Sequence, residues 1–169
     1  MTEADPVDVY VSAGSNIESE KNLRLACCEL EKLAGSLSRS SVYCTKAIGF
    51  HGDDFLNMVI SFSTRMTLDR IMAELERIEL LSGRRPSASP FSPRTLDLDL
   101  LLYGEMVVDS HKISLPRSDI TKYAFVLGPL AELAPQLRHP RSGKTMGELW
   151  AAFDRNTQPI KRLAQSPLN

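Results

Sequence analysis

The spacing of apolar residues changes its period several times along the chain, and each change predicts a new secondary-structure element. Strict alternation with polar residues is typical of a half-buried strand, whereas recurrence every three or four positions is typical of an amphipathic helix. Gly35 marks the expected end of the first helix, and Thr67 is the expected N-cap of the second. The predicted order is strand 7–13, helix 23–33, strand 42–45, strand 55–64, helix 68–78 and strand 95–103.

This β-α-β-β-α-β order predicts an α+β fold of the ferredoxin-like kind, an antiparallel sheet with both helices on one face. We expect the fourth strand, 95–103, to lie inside the sheet rather than at its edge, because its many leucines need cover. A turn at Gly104 then leads into a short partner strand at 106–109.

The last part of the chain predicts a helical extension of this sheet. Residues 124–133 predict a helix that Pro129 must open or bend. Thr145 begins a capping box and, with it, a last helix. Residues 155–169 are polar and contain two prolines, so we expect a loose tail at the end of a single domain that takes in all 169 residues.

Composition excludes several classes of protein. Twenty basic against 21 acidic residues give a net charge of -1, which argues against a dedicated nucleic-acid or membrane-surface binder. No run of about 18 apolar residues predicts a transmembrane helix, and the acidic N-terminus is unlike a signal peptide. Three cysteines without CxxC spacing predict reduced thiols rather than a zinc site. We therefore expect a cytoplasmic monomer with no nucleic-acid or membrane partner.

The sharpest chemical signal is a pair of carboxylates in the fourth strand. Asp97 and Asp99 are two residues apart, so both side chains point to one face of a strand while the leucines around them take the other. Two adjacent carboxylates repel unless a cation neutralises them, and Mg²⁺ takes one or two carboxylates together with phosphate oxygens and water. The alternative is a solvent-facing strand that the charges keep soluble. Three arginines in the preceding loop favour a metal–phosphate site: Arg84, Arg85 and Arg94.

The segment around this pair resembles a family signature. Residues 92–104, Ser-Pro-Arg-Thr-Leu-Asp-Leu-Asp-Leu-Leu-Leu-Tyr-Gly, are similar to the motif of the 6-hydroxymethyl-7,8-dihydropterin pyrophosphokinases, enzymes of folate synthesis. The resemblance covers nearly the whole chain, because it continues in the same order through 10–16, 55–57, 79–84, 125–130 and 134–135. It implies an ATP-dependent enzyme that transfers pyrophosphate from ATP to the hydroxymethyl group of the pterin and releases AMP.

The resemblance also implies a role for individual residues. The catalytic group would comprise Arg84, Arg94, Asp97 and Asp99, with a pair of magnesium ions held by Asp97 and Asp99. The pterin would be bound by Thr45, Ile48, Phe55, Asn57 and Phe125, the two phenylalanines lying on either side of the flat ring. ATP would be bound by Glu79, Arg84, Arg94, Leu100, Ser114 and Arg117.

Some of the ATP-side positions depart from the family pattern. Arg117-Ser118 stands where many members have His-Tyr, and Tyr123 stands where they have Arg. A basic residue expected near Pro86 is absent, although Arg85 is adjacent. The pterin and metal positions are retained, so the resemblance implies a divergent branch in which the charge that faces ATP is redistributed.

Three other functions remain open at this point. A non-catalytic relative could bind pterin or nucleotide without turnover, although the intact carboxylate pair argues against it. A different Asp-x-Asp enzyme on the same fold, such as a nucleotidyl transferase or a cyclase, would not explain Phe55-Leu-Asn57. A ferredoxin-like RNA-binding module would need exposed aromatics and a basic surface, whereas aromatic residues make up only 7% of this chain.

Overall fold

Two layers of helices enclose one main antiparallel sheet. The computed structural model describes residues 4–46, 54–83 and 96–168. Its first elements are β1 (Val7–Ser15), α1 (Ser19–Ala34), β2 (Ser38–Arg39), β3 (Tyr43–Thr45), β4 (Phe55–Thr64), α2 (Leu68–Leu81) and β5 (Asp97–Tyr103). The later elements are β6 (Val108–Asp109), β7 (Ser114–Leu115), α3 (Asp119–Lys122), α4 (Ala124–Leu133), α5 (Met146–Ala152) and β8 (Lys161–Arg162).

The strands of the main sheet follow the order β5-β1-β4-β3-β8, and β2 also pairs with β4. The ladders between these neighbours are antiparallel, and the longest joins β1 to β4 from Val7 opposite Thr64 to Ser15 opposite Leu56. The predicted β-α-β-β-α-β order and the α+β class are confirmed. Among the described residues, no helix is both long and apolar enough to cross a bilayer.

Alternate residues of the sheet explain why α1 and α2 lie on the same face. Val9, Val11 and Ala13 of β1 are fully buried in one apolar cluster with Leu23 of α1 and Ile78 of α2. Because every second strand residue points to this face, both helices can bury a continuous apolar stripe against it. We call this side the inner face.

The helix ends follow from local chemistry. The side chain of Thr67 accepts a hydrogen bond from the Arg70 N–H at 3.2 Å, so the predicted N-cap of α2 is present. Gly35 adopts a φ of 86°, which favours glycine, and its N–H donates to the Glu31 carbonyl at 2.8 Å where α1 ends. The capping box begun by Thr145 makes both of its hydrogen bonds at the start of α5.

Helices α3, α4 and α5 cover part of the opposite face of the sheet, which we call the outer face. Val59 of β4 and the pair Leu101 and Leu102 of β5 pack there against Leu127 and Leu130 of α4. Helix α4 contains the predicted internal proline and is buried along most of its length. The C-terminal helical extension is therefore the second layer of the fold.

The prediction that the fourth strand lies inside the sheet is wrong. Within the three described ranges, β5 pairs only with β1 and so forms an edge. Its leucines find cover on both faces, with Leu98 and Leu100 on the inner face and Leu101 and Leu102 on the outer face. A register shift in the β1–β5 ladder interrupts the alternation and allows this division. In the described part of the chain, the leucines of β5 are therefore covered by helices on both faces of the sheet and not by a second neighbouring strand.

The prediction that the short strand at 106–109 pairs with the fourth strand is also wrong. The segment predicted at 106–109 contributes β6, but β6 pairs with β7 in a separate two-stranded sheet rather than with β5. The second predicted strand begins one residue later than expected, at Tyr43, and is preceded by the two-residue β2.

The C-terminal segment is not the loose tail that its polar composition predicted. Strand β8 pairs with β3, and Leu163 and Leu168 pack against the apolar cluster of the inner face. Arg24 of α1 donates to the Pro167 carbonyl at 2.6 Å. The side-chain oxygen of Gln158 accepts from the first N–H of α4 at 3.0 Å. Backbone pairing, isolated hydrogen bonds and two leucines hold the segment, and none of these produces a clear period in the sequence.

Candidate functional site

Polar residues from three adjacent strands line up on the outer face. Asn57 of β4 is opposite Gly14 of β1, and Gly14 is opposite Asp97 of β5. Two residues along the strands, Ser12 is opposite Asp99. Because the leucines that flank the two carboxylates pack on the inner face, Asp97 and Asp99 both point to the outer face, as their spacing predicts. Both aspartates are partly exposed, whereas Asn57 and Ser12 are buried.

Gly14 leaves room for the side chain of Asn57. A Cβ atom at position 14 would lie 2.8 Å from Asn57 Oδ1, closer than real Cβ contacts allow. At its other end, the amide group of Asn57 donates from Nδ2 to Thr45 Oγ1 at 3.0 Å. The buried amide is thereby held between β3 and β1, because a buried polar group needs a partner and a defined space. Two of the predicted pterin residues, Thr45 and Asn57, are thus in direct contact.

The two aromatic residues predicted for the pterin lie on the same side of the sheet. Phe55 is two residues before Asn57 in β4, so it shares the outer face. Phe125 is in the first turn of α4 and packs against the apolar cluster of that face. The ring of Tyr123 stacks on Phe125 with centroids 5.1 Å apart and an interplanar angle of 22°. Both phenylalanines are half-buried.

Arg117 contacts the carboxylate pair. Its Nη2 is 3.4 Å from Asp99 Oδ1, and its Nε donates to Asp119 Oδ2 at 3.0 Å. Burial lowers the pKa of Arg117, but the neighbouring Asp99, Asp119 and Asp97 raise it, and the balance is a raised pKa. The guanidinium is therefore a permanent cation beside the two aspartates. Its predicted contact with ATP stays a prediction.

Glu79 supports β5 from the end of α2. One of its carboxylate oxygens, Oε1, accepts from the backbone N–H of Leu98 at 2.8 Å, between the two aspartates of the pair. This contact explains why a half-buried glutamate lies near the apolar stripe of its helix, because the carboxylate has a backbone partner. The predicted role of Glu79 in ATP binding is not tested by this contact and stays a prediction.

The remaining predicted residues are distributed differently. Leu100 is buried on the inner face, so its side chain points away from the carboxylate pair and a nucleotide could reach only its backbone. Ser114 is exposed at the start of β7 and donates to Asp109 Oδ1 at 2.9 Å. The other predicted positions lie outside the described residues: Ile48, Arg84, Arg85, Pro86 and Arg94.

Sequence reasoning missed three residues that the structure brings to the site. Gly14 is named only within the resembling segment 10–16, Asp119 is not singled out, and Tyr123 is named only as a departure from the family pattern. Only the first had a local signal, since a glycine inside a strand often marks the close approach of another group.

The chemistry of this arrangement suits a polyphosphate held with a metal. Within the described part of the chain, no group of three or more His, Cys, Asp and Glu residues is placed to hold a metal ion. Asp97 and Asp99 are two partly exposed carboxylates on one face of β5, and Mg²⁺ commonly takes one or two carboxylates together with phosphate oxygens and water. The adjacent guanidinium adds a planar donor that matches phosphate oxygens.

Comparison with known families agrees with this geometry. A profile of the 7,8-dihydro-6-hydroxymethylpterin-pyrophosphokinase (HPPK) family matches residues 10–135. The chain belongs to the HPPK family. The matched range begins in β1 and ends just after α4, so it includes the site and excludes α5 and β8. The family prediction made from the motif is thereby confirmed.

Individual relatives extend the comparison. The 2-amino-4-hydroxy-6-hydroxymethyldihydropteridine pyrophosphokinase of Pseudomonas aeruginosa is 36% identical over 148 residues, which cover 85% of this chain and 90% of that protein. The protein of the same name from Synechocystis sp. is 36% identical over 147 residues, covering 85% of this chain and 75% of that protein. These relatives are named as pyrophosphokinases, so the prediction of an enzyme is confirmed.

A solved structure supports the fold. The crystal structure of an HPPK-DHPS triple mutant of Plasmodium falciparum, with pteroate, matches with a TM-score of 0.69 at 12% identity. The match covers 86% of this chain and 43% of that longer chain. At so low an identity, the likeness shows the shared fold.

Proposed function

We propose that this HPPK family member transfers pyrophosphate from ATP to the hydroxymethyl group of 6-hydroxymethyl-7,8-dihydropterin and releases AMP, as a step of folate synthesis. The observation that carries the proposal is the row formed by Asn57, Gly14 and Asp97 across three strands, with Asp99 beside it. The row joins a buried amide suited to a flat heterocycle with carboxylates suited to a metal–phosphate group.

Asp97 and Asp99 would hold magnesium, proposed here as a pair of ions. The residues fit this role because both carboxylates are partly exposed and share one face of the strand. When bound, magnesium would neutralise phosphate charge and so favour attack at phosphorus.

The chain's own residues would position the two substrates. The amide of Asn57, held by Thr45, would present its remaining hydrogen-bonding positions to the pterin edge. Phe55 and Phe125 would lie on the two sides of the ring, where aromatic stacking fixes a flat ligand. Arg117 would offer its guanidinium to the phosphates from beside Asp99.

The reaction then needs positioning more than a covalent nucleophile. The pterin hydroxymethyl oxygen forms a bond to the β-phosphorus as the bond from that phosphorus to the oxygen bridging to the α-phosphate breaks. AMP keeps the bridging oxygen and leaves, and the proton of the attacking hydroxyl passes to solvent. Phosphoryl-type transfers of this kind depend mainly on alignment and electrostatic stabilisation, which the row of residues on the outer face is suited to provide.

A direct assay tests the proposal. Purified enzyme would be incubated with ATP and Mg²⁺, with and without the hydroxymethyl dihydropterin, and the nucleotides separated by chromatography. We expect AMP only when the pterin is present, together with a pterin product heavier by one pyrophosphate. Formation of ADP would indicate a simple kinase, and cyclic AMP or free pyrophosphate would indicate a cyclase or nucleotidyl transferase. A folded protein that produces no pterin-dependent AMP would contradict the proposal.

A further inference from the structure

The carboxylate pair already has a cation of its own. Arg117 and Asp99 are each about two-fifths exposed, at 39% and 40% of their side-chain surface, and their charged atoms are 3.4 Å apart. The same guanidinium bonds Asp119 at 3.0 Å. Its backbone is also fixed to β5, because the Arg117 N–H donates to the Leu101 carbonyl at 3.0 Å. Backbone and side chain therefore both hold this cation at the pair.

A guanidinium and a divalent ion compete for this position. A metal ion bound to Asp97 and Asp99 would lie within a few ångströms of the Arg117 guanidinium, where two positive charges repel strongly. The carboxylate Oδ1 of Asp99 cannot give its full interaction to both cations. One of the two must therefore weaken its contact when the other binds.

We propose that Arg117 is a counterion of the Asp97–Asp99 pair in the enzyme without nucleotide, and that it suppresses divalent-cation binding until a triphosphate draws the guanidinium away from Asp99. This inference rests on the proposed function, which assigns the metal and the triphosphate to the same site. Metal and nucleotide binding are then coupled through one side chain, and by linkage each increases the affinity for the other.

Asp119 would act as the pivot of this exchange. It is the first residue of α3, and it bonds Nε of Arg117 while Nη2 faces Asp99. The guanidinium can therefore leave Asp99 and turn toward a phosphate without losing its second anchor. Asp119 is in this sense a positioning residue, because it holds the cation rather than the substrate.

The test measures metal binding without turnover. Mn²⁺ would replace Mg²⁺ in the titration, since both ions prefer oxygen ligands. It would be added to nucleotide-free protein, and the free ion would be followed by its electron paramagnetic resonance signal. We expect Arg117→Ala and Arg117→Gln each to tighten Mn²⁺ binding about three- to fivefold, because exposed ion pairs have modest strength. Adding Asp97→Asn to either variant should abolish the gain, which locates the bound ion at the pair.

A matched control comes from the inner-face helices. Arg77 also bridges two carboxylates, Glu74 at 2.7 Å and Glu29 at 3.2 Å, and its side chain is 44% exposed. Arg77→Ala therefore removes a similar charge and a similar pair of contacts away from the outer face. Its Mn²⁺ affinity should equal that of the unchanged protein, and a gain as large as that of Arg117→Ala would overturn the proposal.

Asp119→Asn gives a prediction of opposite sign. Without its second anchor the guanidinium belongs to Asp99 alone, so Mn²⁺ binding should weaken by about twofold, and this effect should vanish when Arg117→Ala is also present. Unchanged or weaker Mn²⁺ binding in both Arg117 variants, or an Asp119→Asn effect that persists without Arg117, would overturn the proposal. Because no substrate is turned over, a failure here is separate from an absence of pterin-dependent AMP.

Discussion

The two faces of the sheet use the same strands for different purposes. On the inner face, Val11 and Ala13 of β1 are fully buried under two long helices. On the outer face, the alternate residues Ser12 and Gly14 lie beside the buried amide of Asn57 and the carboxylates of Asp97 and Asp99. The inner face stabilises the fold through apolar burial, whereas the outer face presents polar groups at positions that the fold holds fixed. Substitutions on the two faces should therefore have separable effects.

The largest effect is expected for the carboxylate pair. Asp97→Asn or Asp99→Asn removes a ligand charge while the side-chain shape is kept, so kcat at saturating Mg²⁺ should fall about 10²–10³-fold. The melting curve should hardly change, because both side chains are partly exposed. Near-normal turnover in either variant would refute the assignment of these residues as catalytic.

The converse effect is expected on the inner face. Leu23→Ala in α1 empties space at a fully buried position, and the free energy of unfolding should fall by about 2–5 kcal/mol. At a temperature where the variant is still folded, kcat should stay close to that of the unchanged enzyme. Urea unfolding and turnover would be measured on the same preparation. A large loss of kcat in fully folded variant would break the separation between the two faces.

A smaller effect is expected where the amide meets the glycine. Gly14→Ala places a methyl group 2.8 Å from the Asn57 oxygen. The side chain of Asn57 must then move, because it is more flexible than the β1 backbone that carries the methyl group. We expect pterin affinity to fall about tenfold, the loss of roughly one well-placed hydrogen bond, while ATP affinity changes little. Titration of pterin by fluorescence would measure this. Equal losses for both substrates would indicate a general distortion of β1 instead.

The smallest effect is expected for Arg117. Arg117→Ala should raise KM for ATP by about fivefold and leave pterin affinity in a nucleotide-free titration nearly unchanged, because only the phosphates need the cation. Because the pKa of Arg117 is raised above its ordinary value, the guanidinium stays charged at any working pH. The ATP contribution of Arg117 should therefore be constant from about pH 6 to about pH 9, with no ionisation near 6.5 as a histidine would show.

If ATP kinetics are unchanged in Arg117→Ala, the phosphate contacts belong to other basic residues, and Arg117 is confined to the carboxylate pair. The same measurement of KM for ATP on Arg77→Ala serves as the control, because Arg77 makes comparable contacts on the inner-face helices. It shows whether an effect comes from the Arg117 charge itself or from the loss of one positive charge anywhere on the protein.

The sequence alone predicted the elements that depend on local period. The order of the main strands and helices, the cap at Thr67 and the shared face of Asp97 and Asp99 all follow from alternation and capping chemistry. The edge position of β5 could not be predicted in this way. A strand covered by helices and a strand placed between neighbouring strands need the same apolar residues. The attachment of β8 could not be predicted either, because backbone pairing leaves no side-chain pattern.

The contacts of Arg117 were beyond sequence reasoning for a different reason. The residue is 18 positions after Asp99, and the two meet because the segment after β7 returns along β5 and bonds the Leu101 carbonyl. Pairings of this kind depend on the path of an irregular segment, and no periodic signal encodes that path. The resemblance indicated a basic group near the phosphates but not its carboxylate partners.

The edge position of β5 has a consequence for self-association. A leucine-rich strand with unpaired backbone groups is a template on which another molecule can add a strand. Here the Leu98 N–H is taken by Glu79, and the Leu101 carbonyl is taken by the Arg117 N–H. Groups from α2 and from the segment after β7 thus fill hydrogen-bonding positions that β1 leaves available, and the strand that carries the carboxylates is closed to intermolecular sheet extension at those two points.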